Sequence, residues 1–250
     1  MTRWLPVLLL LAGCRGTLSP LSNKLEVGQE GYLVFTATGE DGLGDLFASA
    51  LAGGTPYQVT FSRVEERLPA LSPSGVLLAF ARGRAPGDTS AATVSVMNLL
   101  NGGERKVGGP LPDAPRALAW SPDGVTLYAR TGSAIVEAPA PPAAGDWRPI
   151  AADRQAAIDS VFQVPLGEPA LGIATPCDSG GVCIRLRDGS VAVISAAGTA
   201  PARWPGDTVL YREADGAWVV RPLGGGTART LQWSRPLTGV RELTVFPGPQ

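Results

Sequence analysis

Cys177 and Cys183 flank the segment Asp-Ser-Gly-Gly-Val, and thiols are the most reactive groups this chain offers. The Asp, Ser and glycines between them read as a tight turn, which brings the two sulfurs close together. Thiols so placed form a disulfide or hold a metal, and the metal lacks ligands, because the chain has three cysteines and no histidine. The missing histidine also removes Ser-His-Asp and Cys-His catalysis and the imidazole general base. Ser179 in Ser-Gly-Gly resembles a protease serine only superficially, with no base to activate it. Gly224-Gly225-Gly226 lacks the Lys-Ser/Thr and the helix of a phosphate-binding loop. Glu65 and Glu66 are an acid pair of the kind glycosidases use, but neighbours in a strand point to opposite faces and nothing sets their separation. The sequence therefore predicts no enzyme, no cofactor and no metal site.

The third cysteine, Cys14, ends a different pattern. Arg3 precedes an apolar run from Trp4 to Leu11, followed by the small residues Ala12 and Gly13. The run is far shorter than the ~20 residues that span a bilayer and suits the apolar region of an export signal. Leu11-Ala12-Gly13-Cys14 resembles the bacterial lipobox, whose cysteine receives a diacylglycerol and becomes the mature N-terminus. The competing reading is an ordinary secretory signal with an incidental cysteine. The resemblance implies a signal peptide over residues 1–13, lipidation at Cys14 and a place in the cell envelope. Arg15, not Asp, follows the cysteine, which in lipoprotein sorting favours the outer membrane, facing the periplasm or the cell surface. Lipidation removes one thiol from an odd set, and an oxidising compartment then pairs Cys177 with Cys183. Closing so small a loop contributes about 2 kcal/mol.

Residues 14–29 contain Gly16, Ser19, Pro20, Ser22 and Asn23 without strong periodicity and read as a flexible tether reaching up to about 50 Å. Removing residues 1–13 leaves 20 basic against 22 acidic side chains (21 minus Arg3 against 22), which gives no reason to expect nucleic acid as a partner. No apolar stretch after residue 13 approaches membrane length, so membrane contact is expected through the lipid alone.

The elements that must position any site come from internal repeats. Leu-Ser-Pro-Ser-Gly-Val-Leu-Leu-Ala-Phe-Ala-Arg at residues 71–82 recurs as Ala-Trp-Ser-Pro-Asp-Gly-Val-Thr-Leu-Tyr-Ala-Arg at 119–130, with a shortened copy at 204–212. Each is a strand, a Ser-Pro-x-Gly turn and a second strand; proline suits the turn's second position and glycine its positive φ. A strand running into Gly-Gly follows at 45–55, 94–104 and 217–227. Two hairpins per unit make a four-stranded antiparallel sheet. The second strands start near Tyr32, Leu77, Thr126, Ala170 and Thr208, the spacing of propeller blades.

Leu-Ser-Pro-x-Gly-x-x-Leu-Ala-Phe with a downstream Val-Met-Asn and Gly-Gly resembles the WD40-like repeat of TolB-type β-propellers, clearly over residues 30–130, fairly over 203–233 and poorly over 150–200. The fold class is all-β, a propeller over residues 30–250. Residues 241–247 match the first strand of a blade and Tyr32 opens as a second strand, so the C-terminal strand should complete the first blade. That gives five blades, with a sixth from residues 150–200 as the alternative.

The resemblance implies a periplasmic or surface protein-interaction role and brings no catalytic residues. The long connections, at 62–67, 83–92, 107–115, 139–147 and 153–157, are expected to share one face. Candidate interface residues there are Arg63, Glu65, Glu66, Arg67, Arg82, Arg84, Asp88 and Arg154, binding residues being commonest on loops over a rigid scaffold. The expected function is a monomeric protein-interaction module with an envelope protein as partner. The alternative is a carbohydrate or peptidoglycan receptor, which would expose Trp120, Trp147, Trp204, Trp218 or Trp233 for stacking instead of packing them between blades.

Overall fold

In the computed structural model, the described residues are 20–83, 92–132, 134–162, 164–166, 172–223 and 226–249. They form five four-stranded antiparallel sheets arranged as the blades of a propeller. Blade two is β4 (Glu65–Leu71), β5 (Leu77–Gly83), β6 (Thr93–Asn98) and β7 (Glu104–Val107) from the inside outwards. Blade three is β8 (Ala117–Trp120), β9 (Thr126–Arg130), β10 (Ile135–Pro139) and β11 (Arg148–Pro149). Blade four is β12 (Val164–Leu166), β13 (Gly172–Pro176), β14 (Val182–Leu186) and β15 (Val191–Ser195). Blade five is β16 (Thr199–Trp204), β17 (Thr208–Arg212), β18 (Trp218–Pro222) and β19 (Arg229–Thr230). Blade one combines both ends of the domain: the last strand, β20 (Arg241–Phe246), lies inside β1 (Tyr32–Thr38), β2 (Gly44–Ala50) and β3 (Tyr57–Gln58). The five-blade count and the C-terminal closure are as expected, and no sixth sheet arises among the described residues.

The repeated turns are alike at the level of single atoms. The Ser72 hydroxyl accepts the Leu77 N–H at 3.0 Å, and the Ser121 hydroxyl accepts the Thr126 N–H at 2.9 Å. Gly75 and Gly124 supply the positive φ, +67° and +73°. At Gly75 a side chain is also excluded by space, since a Cβ would lie 2.6 Å from the Phe246 ring.

Alternating strand residues place one apolar row on each side of a blade, and facing rows fill the gaps between blades. Val94, Val96, Leu118, Trp120 and Leu127 join blades two and three, while Leu33, Phe35, Leu210, Trp218 and Val220 join blades one and five. Side chains also cross to neighbouring backbone. The Trp120 indole donates to the Ala70 carbonyl at 2.9 Å, and the Tyr32 hydroxyl to that of Gly75.

Three connections differ from the sequence reading. Residues 153–157 form no loop but lie within α1 (Ala152–Asp159), which runs into a 3-10 turn, η1 (Ser160–Phe162). Ile158 of α1 packs on Tyr128, Ile135 and Ile150 of blade three. Residues 139–147 join the third and fourth strands of blade three, which puts them on the face of the short turns. Residues 20–29 are not free tether: Leu21 and Val27 are buried beside Leu78, Leu99 and Phe246. Their apolar side chains cap the end of the gap between blades one and two, a burial that the polar residues around them masked in the sequence.

Candidate functional site

Inner strands run from the long-loop face to the short-turn face, so the channel they surround has two chemically different ends. At the short-turn end, β20, β4 and β8 with Val161 of η1 line a cavity of about 780 Å³. Among the described residues its polar side chains are the hydroxyls of Ser72, Ser74 and Thr244 and the indole of Trp120, with no ionisable group in the lining.

The acids gather at the other end, where β4 and β20 begin. Glu65 is buried against blade one: it accepts the Gly44 N–H at 2.6 Å and pairs with Arg241. Glu66 is fully buried and points the other way along its own blade. It accepts from Arg82 Nε at 2.7 Å, and Arg82 forks onto Glu104 as well. Adjacent strand residues have thus diverged, and Glu65 and Glu66 do not converge on one substrate position. Glu66 Oε2 and Asp45 Oδ1 are buried without a side-chain hydrogen-bond partner among the described residues. Burial, reinforced by the charges of Glu66 and Asp41, pushes the Asp45 carboxyl up to about 6. Its other oxygen accepts from Gln58 Nε2 at 2.9 Å.

Of the candidate interface residues, Glu65, Glu66 and Arg67 stand on β4 and Arg82 on β5 rather than on loops. Arg63 is exposed in the connection before β4 and Arg67 is half-buried. Neither makes an ion pair among the described residues. Arg154 projects from α1 and forks onto Glu137 at 2.9 and 3.0 Å. Arg84, Asp88 and Cys14 lie outside the described residues. Cys177 and Cys183 are joined in a disulfide across the β13–β14 turn. Sequence reasoning missed Asp45, Arg241 and Glu242, because each meets a residue of blade two (Glu66, Glu65 and Leu68) and no local spacing marks them. Among the described residues no group of three Cys, Asp or Glu side chains is arranged to hold a metal ion.

The described tryptophans serve packing. Trp120, Trp204 and Trp218 are buried. Trp147 donates to the Val107 carbonyl at 3.0 Å, and Trp233 lies 5.0 Å from the Phe35 ring.

Among solved structures, the chain is similar to TolB from Acinetobacter baumannii, with 14% identity and a TM-score of 0.58 over 88% of this chain and 67% of that one. A TolB-type protein from Agrobacterium tumefaciens matches with 12% identity and a TM-score of 0.40 over 81% and 70%. A chain of the nidogen/laminin complex matches with 12% identity and a TM-score of 0.43 over 86% and 98%. The first likeness shows a TolB-like propeller fold; the other two are too distant to add to it. No protein-family model and no curated protein matches the chain.

Proposed function

We propose that this chain is a lipid-anchored, extracytoplasmic propeller that binds a protein of the bacterial cell envelope through its long-loop face. The observation that carries this reading is the course of residues 20–31. They lie across the short-turn face, where Gly28 approaches the Ser74 carbonyl and Lys24 Nζ sits 5.5 Å over the Tyr57 ring. Six residue steps separate Cys14 from Pro20, a reach of at most about 21 Å. A diacylglycerol on Cys14 would hold the short-turn face near the membrane and turn the long-loop face outwards. On that face Arg63 and Arg67 have charge to offer. The packed tryptophans weigh against a carbohydrate receptor, and the diverging Glu65 and Glu66 weigh against glycoside hydrolysis.

The test is photo-cross-linking in intact cells from positions on each face. A cross-linking residue at Arg63 or Arg67 should capture one envelope protein, with capture lost in a Cys14→Ser strain. The same residue at Lys24 or Ser74 should not capture it. Capture from the short-turn face alone, or from neither face, would overturn the reading.

A further inference from the structure

The outermost strands show how the ring protects its perimeter. Strands β3, β11 and β19 are two residues long, and β7 carries Glu104, Arg105 and Lys106. Short or charged edges keep a sheet from pairing with another chain. Strand β15, Val-Ala-Val-Ile-Ser, is five residues long and has neither charge nor proline. Val191 is 58% exposed and Val193 65%, while Ile194 turns into the core shared with blade five.

The backbone of this edge is open as well. The Leu186 N–H donates to the Ser190 carbonyl at 2.8 Å and closes the β14–β15 turn. Bonded and non-bonded pairs alternate in an antiparallel ladder, so Ala192 is the next residue bonded to β14. The N–H and C=O groups of Val191 and Val193 therefore point out of the sheet, where no further strand pairs with β15 among the described residues. Cys183 lies directly opposite Val193, and its disulfide to Cys177 fixes the hairpin behind the edge.

Charge marks one end of the strand. Arg185 stands opposite Val191, and Arg187 follows in the turn. Both are exposed and neither has an ion pair among the described residues. The adjacent acid, Asp188, is occupied by the Ser190 N–H and hydroxyl at 2.8 and 2.6 Å.

We infer that β15 is a docking edge for an extended segment of a partner protein, apolar at alternate positions and acidic at the end near Arg185 and Arg187. The segment adds a fifth strand to blade four: its main chain pairs with Val191 and Val193, and its acid meets the arginines. A second copy pairing β15 to β15 would offer Val-Ala-Val-Ile-Ser, which carries no acid to meet Arg185 and Arg187. The edge lies on the perimeter, away from Arg63 and Arg67, so its test is separate from that of the long-loop face.

The probe is the blocked peptide Glu-Val-Thr-Val-Glu, with Lys-Val-Thr-Val-Lys as its counterpart. Added to the soluble protein with its disulfide intact, the acidic peptide should slow hydrogen exchange of the Val191 and Val193 amides by about tenfold or more. The basic peptide should have little effect, and the Arg185→Ala/Arg187→Ala double variant should weaken the acidic peptide several-fold in a salt-dependent way. Val193→Pro removes an outward N–H at an edge position where proline is tolerated, and it should abolish the protection. If that variant fails to fold, Val191→Lys serves the same purpose by charging the edge. Absence of protection at millimolar peptide, protection that survives both edge variants, or equal protection by the basic peptide would overturn the inference. So would a dimer in sedimentation equilibrium that Val193→Pro converts to monomer, since the occupant would then be a second copy.

Discussion

The carboxylate of Glu242 accepts the backbone N–H of Leu68 at 2.7 Å, across the junction of blades one and two. The two residues occupy the same place in their respective inner strands. Each has left-handed backbone, φ +51° at Glu242 and +56° at Leu68, and each opens a bulge facing one aromatic residue, Phe35 or Phe80. Ala200, at +50°, repeats the arrangement in blade five opposite Tyr211. An extra residue in one strand sharpens the local twist. Here the bulge also frees a backbone donor at Leu68, which the neighbouring blade satisfies.

Glu242 also accepts from the Thr36 hydroxyl at 3.1 Å. Glu242→Ala removes two bonds to a charged group and should cost about 2 kcal/mol, seen as a fall of several degrees in the melting temperature. Glu242→Gln should lose less. Glu242→Gly should be about 1 kcal/mol more stable than Glu242→Ala, because glycine relieves the left-handed backbone.

Truncation before residue 240 removes β20, which pairs with β1 from Tyr32 to Thr36. The shortened chain exposes the inner edge of β1 and leaves Glu65 without Arg241. Loss of a single cooperative calorimetric transition is expected. An unchanged melting curve would contradict the closure.

Asp45 makes stability depend on pH. Its carboxyl is raised in the folded chain to about 6 from 3.8, so the fold favours the protonated form. That contribution is fully present below about pH 4 and is lost as pH rises through 6. Asp45→Asn should therefore raise the melting temperature at pH 7.5, have little effect at pH 4, and flatten the slope between.

Arg82 and Arg63 separate buried from exposed charge. Arg82→Ala strands the fully buried Glu66 and should cost about 3 kcal/mol in chemical denaturation. Arg63→Ala, at an exposed position, should stay within about 0.5 kcal/mol.

Reducing the Cys177–Cys183 disulfide, which closes a separation of six residues, should cost about 2 kcal/mol. Calorimetry with and without reductant should show a fall of about 4–8 °C for a chain of this size. Hydrogen exchange should speed up first in the β13–β14 hairpin.

The blade repeat was legible because turns are local. Ser72 and Gly75 shape one hairpin within six residues, Ser121 and Gly124 shape another, and both are visible as Ser-Pro-x-Gly. The disulfide was legible for the same reason, its cysteines flanking one turn. The interface candidates were less so. Glu65, Glu66 and Arg82 read as loop charges, yet their strand positions bury both glutamates, each held by a half-buried arginine, Arg241 or Arg82.

By itself the sequence determined the all-β propeller, its repeated hairpins, the closing strand and the cysteine pair, and it left a sixth blade open that the structure closed off at five sheets. Periodicity and turn chemistry act over a few residues and survive as pattern. Tertiary structure alone decided which acids are buried, that Asp45 shares its surroundings with Glu66, and that Leu21 and Val27 seal a blade junction. It also decided that β15 keeps an uncharged edge with no further strand on it among the described residues. Those outcomes depend on contacts between residues far apart in the chain, such as Glu65 and Arg241, 176 positions apart. Burial and pairing across blades are set by how the ring closes in space, and no local spacing in the chain encodes that.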